Sequence, residues 1–220
     1  NLYWNWALAK SFTNNSTIET ATLLERMPGA FLFYQFLIFL VGKSLFGIFF
    51  IQSILDSINC VLIAFIARKI KPSLFILAGY LAAFSPLMII ISSQMLSDTL
   101  FLFFFLIFIY LFIHYLKKEK TIILVFSALF LGLSIYVRTI SFPLVLGGAL
   151  TLLIINITNN KKVTYLAVRN FFIFLIFSIA PIFDRLYSNI INYNSLALTT
   201  QKGTHLVYWV VPAVLDFTNS

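Results

Sequence analysis

Long apolar runs, separated by short polar or basic links, set the pattern of this chain. A helix needs roughly 20 apolar residues to cross a bilayer core of ~30 Å. Six runs approach or reach that length, at residues 48–67, 74–91, 99–116, 122–137, 142–157 and 163–183. The pattern therefore predicts an all-α fold, a polytopic transmembrane helix bundle of about six spans at residues 48–183.

The two ends of the chain lack apolar runs long enough to continue this bundle. The apolar run 30–41 is too short to span and ends at "GKSLFG", a turn signal. It predicts an interfacial helix, so that residues 1–47 form a first outer loop with amphipathic interfacial helices. The more polar residues 184–220 predict the start of an outer soluble domain. Because the chain begins at Asn1 and ends on a polar stretch, we expect a fragment, truncated at both ends.

Composition agrees with a membrane protein and narrows the chemistry. Hydrophobic residues make up 61% of the chain, charged residues 10%, and the mean hydropathy is +0.99; a soluble domain is ~45–50% apolar. A single cysteine, Cys60, excludes an internal disulfide and a cysteine metal cluster. The distant His114 and His205 suggest no metal site by spacing. The net charge of +8 comes from short basic links between apolar runs, and does not indicate nucleic-acid binding.

Those basic links also predict the orientation. The links after the first, third and fifth runs fall on one side by parity, and the positive-inside rule makes that side cytoplasmic. It carries nine of the 15 cations: Arg68, Lys69, Lys71, Lys117, Lys118, Lys120, Lys161, Lys162 and Arg169. Most acids gather on the other side: Glu19, Glu25, Asp98, Asp184 and Asp216. We therefore expect the chemistry on the outer side.

Asp98 and Arg138 are the main candidate site residues at the membrane boundary, and each has a structural and a functional interpretation. Asp98 precedes the run 99–116, where the helix dipole favours an acid by ~0.3–1 kcal/mol; an ionisable group there is otherwise a site candidate. Arg138 ends the run 122–137. The position of Arg138 fits equally well a snorkelling arginine at a helix end and a phosphate ligand held near the membrane plane.

Asp56 lies inside the first predicted span. Its neighbours Gln52, Ser53, Ser57 and Asn59 carry hydrogen-bonding side chains. We expect them to satisfy the carboxyl group, which gives Asp56 a structural role.

Six segments, in order, resemble the bacterial branch of the dolichyl-phosphate-mannose protein mannosyltransferases, polytopic glycosyltransferases of the type-C fold. They are "LYWNWALAKSF", "RMPGAFLFYQFLIFLVGKSLFG", "IQSILDSINCVLIAFIARKI", "AFSPLMIIISSQMLSDTLFLF", "LFLGLSIYVRT" and "LALTTQKGTHLVYWVVP". The likeness covers nearly the whole chain. One departure is clear: the family's catalytic aspartate belongs to the first outer loop, but no acid precedes Glu19. We expect that base to lie upstream of this sequence.

The resemblance implies an inverting membrane glycosyltransferase. It would move a sugar from a polyprenyl-phosphate donor to a protein, glycolipid or polysaccharide acceptor, by direct displacement. Asp98 would assist catalysis by orienting the acceptor or a cation, and Glu25 by orienting Arg26. The implied donor-phosphate ligands are Arg26, Arg138 and Lys202, and His205 would line the substrate entrance.

The remaining expectations follow from the same resemblance. They are no cofactor and no resident metal, with a divalent cation beside Asp98 left open, and contact with membrane lipids but not nucleic acid. The predicted location is a bacterial inner membrane, with the site facing the periplasm or outside. The alternatives are a polytopic transporter or lipid flippase, and an inactive scaffold of the same fold.

Overall fold

The computed structural model describes residues 26–160 and 164–199, together with Val211. Helices account for almost all of this part of the chain, which contains no strand, so the predicted all-α polytopic bundle is confirmed. The α-helices are α1 (Gly29–Val41), α2 (Leu45–Ile70), α3 (Phe75–Ala83), α4 (Pro86–Ser92), α5 (Asp98–Lys118), α6 (Thr121–Val137), α7 (Pro143–Asn160), α8 (Tyr165–Ile179) and α9 (Phe183–Tyr193).

Each of the six predicted runs is helical, but the helices differ in their capacity to span. Four stretches in the described part are long and apolar enough: Leu45–Ile70, Asp98–Lys118, Thr139–Thr158 and Tyr165–Asn192. The pair α3 and α4 would add a fifth if it is one span. Helix α6 has 17 residues, or about 26 Å of helix, slightly less than a typical bilayer core. A total of six spans therefore stays a prediction.

The run 74–91 is not one straight helix. It breaks between α3 and α4, whose axes differ by 54°. The break falls at Ser85, which is extended (φ −69°, ψ 115°), directly before Pro86. A proline lacks the backbone N–H and sterically disfavours helical geometry in the residue before it. The "SP" dipeptide therefore accounts for the bend.

Helix α6 is the centre of the bundle. Eight of its residues are buried: Leu124, Ser127, Ala128, Leu131, Gly132, Ser134, Ile135 and Val137. It runs antiparallel to α5 after a two-residue link in which Glu119 adopts a left-handed conformation (φ 52°). It also contacts α8, so it packs between two neighbouring helices.

Helix α1 covers the end of the bundle at which α5 begins. Its residues Ala30, Phe31, Tyr34, Leu37 and Ile38 are buried, at helical spacing along one face. The other face is also apolar, with exposed side chains at Leu32, Phe36, Phe39 and Leu40. This second face suits contact with lipid. The location of α1 at the membrane interface stays a prediction.

Close approach of α6 and α8 depends on Gly132. A Cβ atom there would lie 2.5 Å from the Ser178 carbonyl oxygen and 2.7 Å from Pro181 Cδ, whereas a Cβ atom at Gly147 in α7 would meet nothing within 4 Å. We expect Gly132→Ala to destabilise the protein by about 1–3 kcal/mol through overpacking. Gly147→Ala, the matched control, should be neutral or gain up to about 1 kcal/mol from helix propensity. Thermal unfolding in detergent would measure both, and equal unfolding temperatures would contradict this account of the packing.

Candidate active site at the Asp98 end of the bundle

An ion pair joins the two strongest candidate residues. The Arg138 guanidinium donates a hydrogen bond through Nη1 to Asp98 Oδ1. Asp98 is the first residue of α5, and Arg138 directly follows α6. Since these helices are antiparallel neighbours, the two residues are in direct contact although they are 40 positions apart in the sequence. The structure thus brings together two residues that the sequence nominated separately.

The backbone at Arg138 is held from both sides. Arg138 is extended (φ −146°, ψ 131°), and its N–H donates to the Ser134 carbonyl at 2.9 Å. A short 3-10 turn, Thr139–Ser141, follows. The buried hydroxyls of Ser134 and Ser141 lie 2.9 Å apart, within hydrogen-bonding distance. The sharp turn therefore fixes the starting point of the arginine side chain.

The segment before Asp98 is held by side chains from two other helices. Tyr34 of α1 donates its hydroxyl to the Leu96 carbonyl at 2.9 Å. Gln52 of α2 donates to Tyr34 Oη and to the Gln94 carbonyl, both at 3.1 Å. We call these three hydrogen bonds, together with the one from Asn59 to Thr99 described next, the turn-supporting network.

The fourth contact of the network acts just inside α5. Asn59 of α2 donates through Nδ2 to the Thr99 carbonyl at 3.1 Å, and Gln52 and Asn59 are both fully buried. Non-helical backbone near the membrane is tolerated where protein groups satisfy it. The network therefore determines where the Asp98 carboxylate stands.

The ion pair remains open to a ligand. The side chains of Arg138 and Asp98 are 40% and 32% exposed. A guanidinium has five N–H donors in a planar fork, of which the pair with Asp98 uses one. The remaining donors can bind a phosphate, while the carboxylate fixes the orientation of the fork.

Arg26 approaches the same end of the bundle. A Cβ atom at Gly29 would lie 2.6 Å from the Tyr136 carbonyl oxygen, so the start of α1 packs directly on the last turn of α6. Arg26 precedes Gly29 by three residues, at most about 11 Å of chain. The segment "RMPG" thus brings Arg26 towards the end of the bundle that holds Asp98 and Arg138. The other nominated residues, Glu25, Lys202 and His205, lie outside the described residues.

The prediction for Asp56 is wrong. The side chains expected to bind it form other hydrogen bonds: Ser53 with the Phe49 carbonyl, Ser57 with the Ser53 carbonyl, and both amides within the turn-supporting network. The two serines bond back to the preceding helical turn, a common alternative in apolar helices. Asp56 instead lines a groove between α2 and α3.

Sequence reasoning missed Tyr34, Gln52 and Asn59 as parts of the site. A usable signal existed, because Gln52 and Asn59 are seven residues apart in an apolar helix and so share one face. Two amides on one face of a membrane helix indicate a hydrogen-bonding surface towards another helix. Nothing in the sequence identified the turn before Asp98 as their acceptor.

The Tyr34 hydroxyl offers a test of the network. Tyr34→Phe removes a donor to Leu96 and an acceptor for Gln52, leaving buried polar groups without that partner. We expect a loss of about 1–3 kcal/mol in unfolding free energy. Tyr80→Phe is the matched control, because Tyr80 is 62% exposed and should change little. Thermal unfolding would measure both, and equal effects would show that the hydroxyl carries no special role.

Comparison with known proteins completes the description of the site. The family model for dolichyl-phosphate-mannose-protein mannosyltransferases matches residues 25–181, a range that includes α1 to α8 and with them Asp98 and Arg138. No curated protein and no solved structure gives a match. The family implies membrane glycosyltransferase activity with a lipid-linked sugar donor. Because the match covers well over half of the sequence and agrees with the resemblance of its segments, the chain belongs to the dolichyl-phosphate-mannose-protein mannosyltransferase family.

Proposed function

We propose that the protein transfers a sugar, with inversion, from a polyprenyl-phosphate donor to an acceptor at the Asp98 end of the bundle. The observation that carries this proposal is the Asp98–Arg138 ion pair, partly exposed where α5 begins and α6 ends. The excess of cations at the opposite end, with Lys69, Lys117 and Lys118 among them, supports an outward-facing site by the positive-inside rule. A bacterial inner membrane with the site towards the periplasm fits this orientation.

Arg138 takes the role of donor-phosphate ligand. As the bond between sugar and phosphate breaks, negative charge grows on the departing lipid phosphate. A prepositioned guanidinium stabilises that charge without reorganising at the moment of reaction. Asp98 is a positioning residue in this scheme, because its carboxylate orients the cation and leaves other N–H donors of the fork for the phosphate.

Further groups complete the proposed site. Arg26 supplies a second cation for the phosphate, and Glu25, Lys202 and His205 keep the roles that the resemblance implies for them. Direct displacement also needs a carboxylate that takes the proton of the acceptor hydroxyl. The family resemblance assigns this step to an aspartate of the first outer loop. The acceptor is a protein, a glycolipid or a polysaccharide.

Substitution of the ion pair tests the proposal. In protein expressed from the complete gene, Arg138→Gln should lower kcat/KM for sugar transfer from a polyprenyl-phosphate donor by about 100-fold or more. Arg138→Lys should recover part of the activity, because it keeps the charge but not the planar fork. Asp98→Asn should reduce activity less than Arg138→Gln, with a raised KM for the donor.

Arg68→Gln is the control for this experiment. Arg68 lies at the other end of the bundle, with its guanidinium 5.7 Å from the centre of the Phe75 ring, and it should retain activity. Thermal unfolding and membrane insertion of every variant separate loss of chemistry from loss of fold. Undiminished transfer by both Arg138→Gln and Asp98→Asn would overturn the assignment.

One observation favours the transporter or flippase alternative. Transporters place ionisable groups near the bilayer midplane beside interrupted helices. Asp56 lies near the middle of α2 and lines the groove against α3, the first half of the bent helix pair. If the protein is a glycosyltransferase, Asp56→Asn should leave sugar transfer within about twofold of the parent, because Asp56 makes none of the hydrogen bonds of the turn-supporting network and lines the groove towards α3 instead. Loss of an ion- or lipid-translocation activity in Asp56→Asn, with no measurable sugar transfer in the parent, would instead establish the alternative.

A further inference from the structure

A second cavity lies at the end of the bundle opposite Asp98. It measures about 410 Å³ and is lined by residues of α5, α7 and α8 and by Glu119. Asp98 begins α5 and Tyr115 lies in its last turn, so about 25 Å of helix separates the ion pair from this cavity. At this distance the cavity is not part of the candidate active site.

The cavity contains an arginine that is already fixed in place. Arg169 donates through Nη2 to Thr121 Oγ1 at 3.1 Å, and through Nη2 and Nε to Asn170 Oδ1 at 3.2 and 3.3 Å. Asn170 in turn donates to the Tyr115 hydroxyl at 2.8 Å. These acceptors are all neutral. Within the described part of the chain, Arg169 has no carboxylate partner, so its positive charge is positioned but not neutralised.

Glu119 contributes the opposite charge to the same cavity. Its backbone is held in the left-handed conformation, with its N–H donating to the Tyr115 carbonyl at 2.7 Å. Glu119 forms no salt bridge with Arg169 or with another cation that the structure describes. One wall thus offers a positive group and another a negative group, and the two form no ion pair with each other.

The rest of the lining contains the polar residues Asn156 and Thr164, which hydrogen-bond to each other, and an apolar part with exposed leucines. Leu116 and Leu166 line the cavity and are 37% and 53% exposed. Leu152 and Ile155 of α7 complete this apolar part. Exposed leucines on membrane helices are where acyl chains make contact. A ligand that fits the whole cavity therefore has an anion, a cation and hydrocarbon chains.

We propose that this cavity binds the headgroup of an ethanolamine phospholipid. The phosphate lies on the Arg169 guanidinium and the ammonium donates to Glu119, while the acyl chains lie along the leucines. Phosphatidylcholine lacks N–H donors on its quaternary ammonium, and phosphatidylglycerol has no cation for Glu119. The cavity therefore selects phosphatidylethanolamine over both, in the leaflet that faces the basic links. This proposal is independent of glycosyl transfer.

Native mass spectrometry of the full chain in mixed micelles, with the three phospholipids supplied in equal amounts, tests the selection. The parent should retain phosphatidylethanolamine preferentially. Glu119→Gln should lower its ratio to phosphatidylcholine about threefold, as expected for a partly exposed charged contact. Arg169→Gln should lower retention of all three lipids. Lys120→Gln, an exposed change in the same link outside the cavity lining, should leave the ratio unchanged.

Glu119→Gln is the decisive variant, because Arg169 also holds Thr121 and Asn170 and its loss could loosen the bundle. Glu119 is exposed, so its unfolding temperature in lipid-free detergent should match that of the parent. Equal retention of the three lipids by the parent, or an unchanged ratio in Glu119→Gln, would overturn the proposal. Displacement of the lipid by an equal concentration of soluble glycerophosphoethanolamine would show a headgroup site that needs no membrane lipid, and would overturn it as well.

Discussion

The turn between α4 and α5 depends on hydrogen bonds from side chains of other helices, and the candidate site depends on that turn. Backbone carbonyls outside a helix cannot remain unsatisfied near lipid, because no water reaches the bilayer core to bind them. Tyr34 and Gln52 donate to two such carbonyls, at Leu96 and Gln94, and Asn59 donates to the Thr99 carbonyl in the first turn of α5. Removal of this support would free the chain before Asp98, and with it one half of the ion pair.

The other half of the ion pair is fixed by close helix packing around α6. In lipid, helices gain little from apolar contact alone, and small residues that allow close approach take its place. Glycine provides that approach at both faces of the bundle core: Gly29 meets the Tyr136 carbonyl, Gly132 meets the Ser178 carbonyl, and Gly148 meets the Phe174 ring. The contacts of Gly29 and Gly132 hold α6, and that of Gly148 joins α7 to α8, so the position of Arg138 follows from packing that extends across the bundle.

The helical architecture was predictable because the length of an apolar run in the sequence is enough to identify a candidate membrane helix. Run length gave six helical regions and the "SP" dipeptide gave a reason for the bend at Ser85, although the bend itself was not predicted. The candidate residues Asp98 and Arg138 also emerged from position at the ends of apolar runs. Their mutual contact did not, because it depends on which helices are neighbours and on their axial register.

The failure at Asp56 has the same physical origin. Proximity in sequence suggested that nearby polar side chains would bind the acid, yet Gln52 and Asn59 donate to acceptors 42 and 40 positions away in the chain, at Gln94 and Thr99. Gln52 and Asn59 are four and three residues from Asp56 and so lie on nearly the same face of α2, yet their N–H groups donate to the backbone around the start of α5. Partner choice for a buried amide is therefore a property of the packed bundle.

The partial exposure of the ion pair is what makes it suitable for binding a charged ligand. A fully buried pair would lose several kcal/mol if one partner were displaced, because a charge would be left in a medium of low dielectric constant. An exposed pair is worth only about 0–1 kcal/mol, so the guanidinium can turn towards a second anion at little cost. With side chains 40% and 32% exposed, Arg138 and Asp98 lie between these limits. The carboxylate is close enough to orient the arginine, and solvent screens the pair enough for a phosphate to share the same donors.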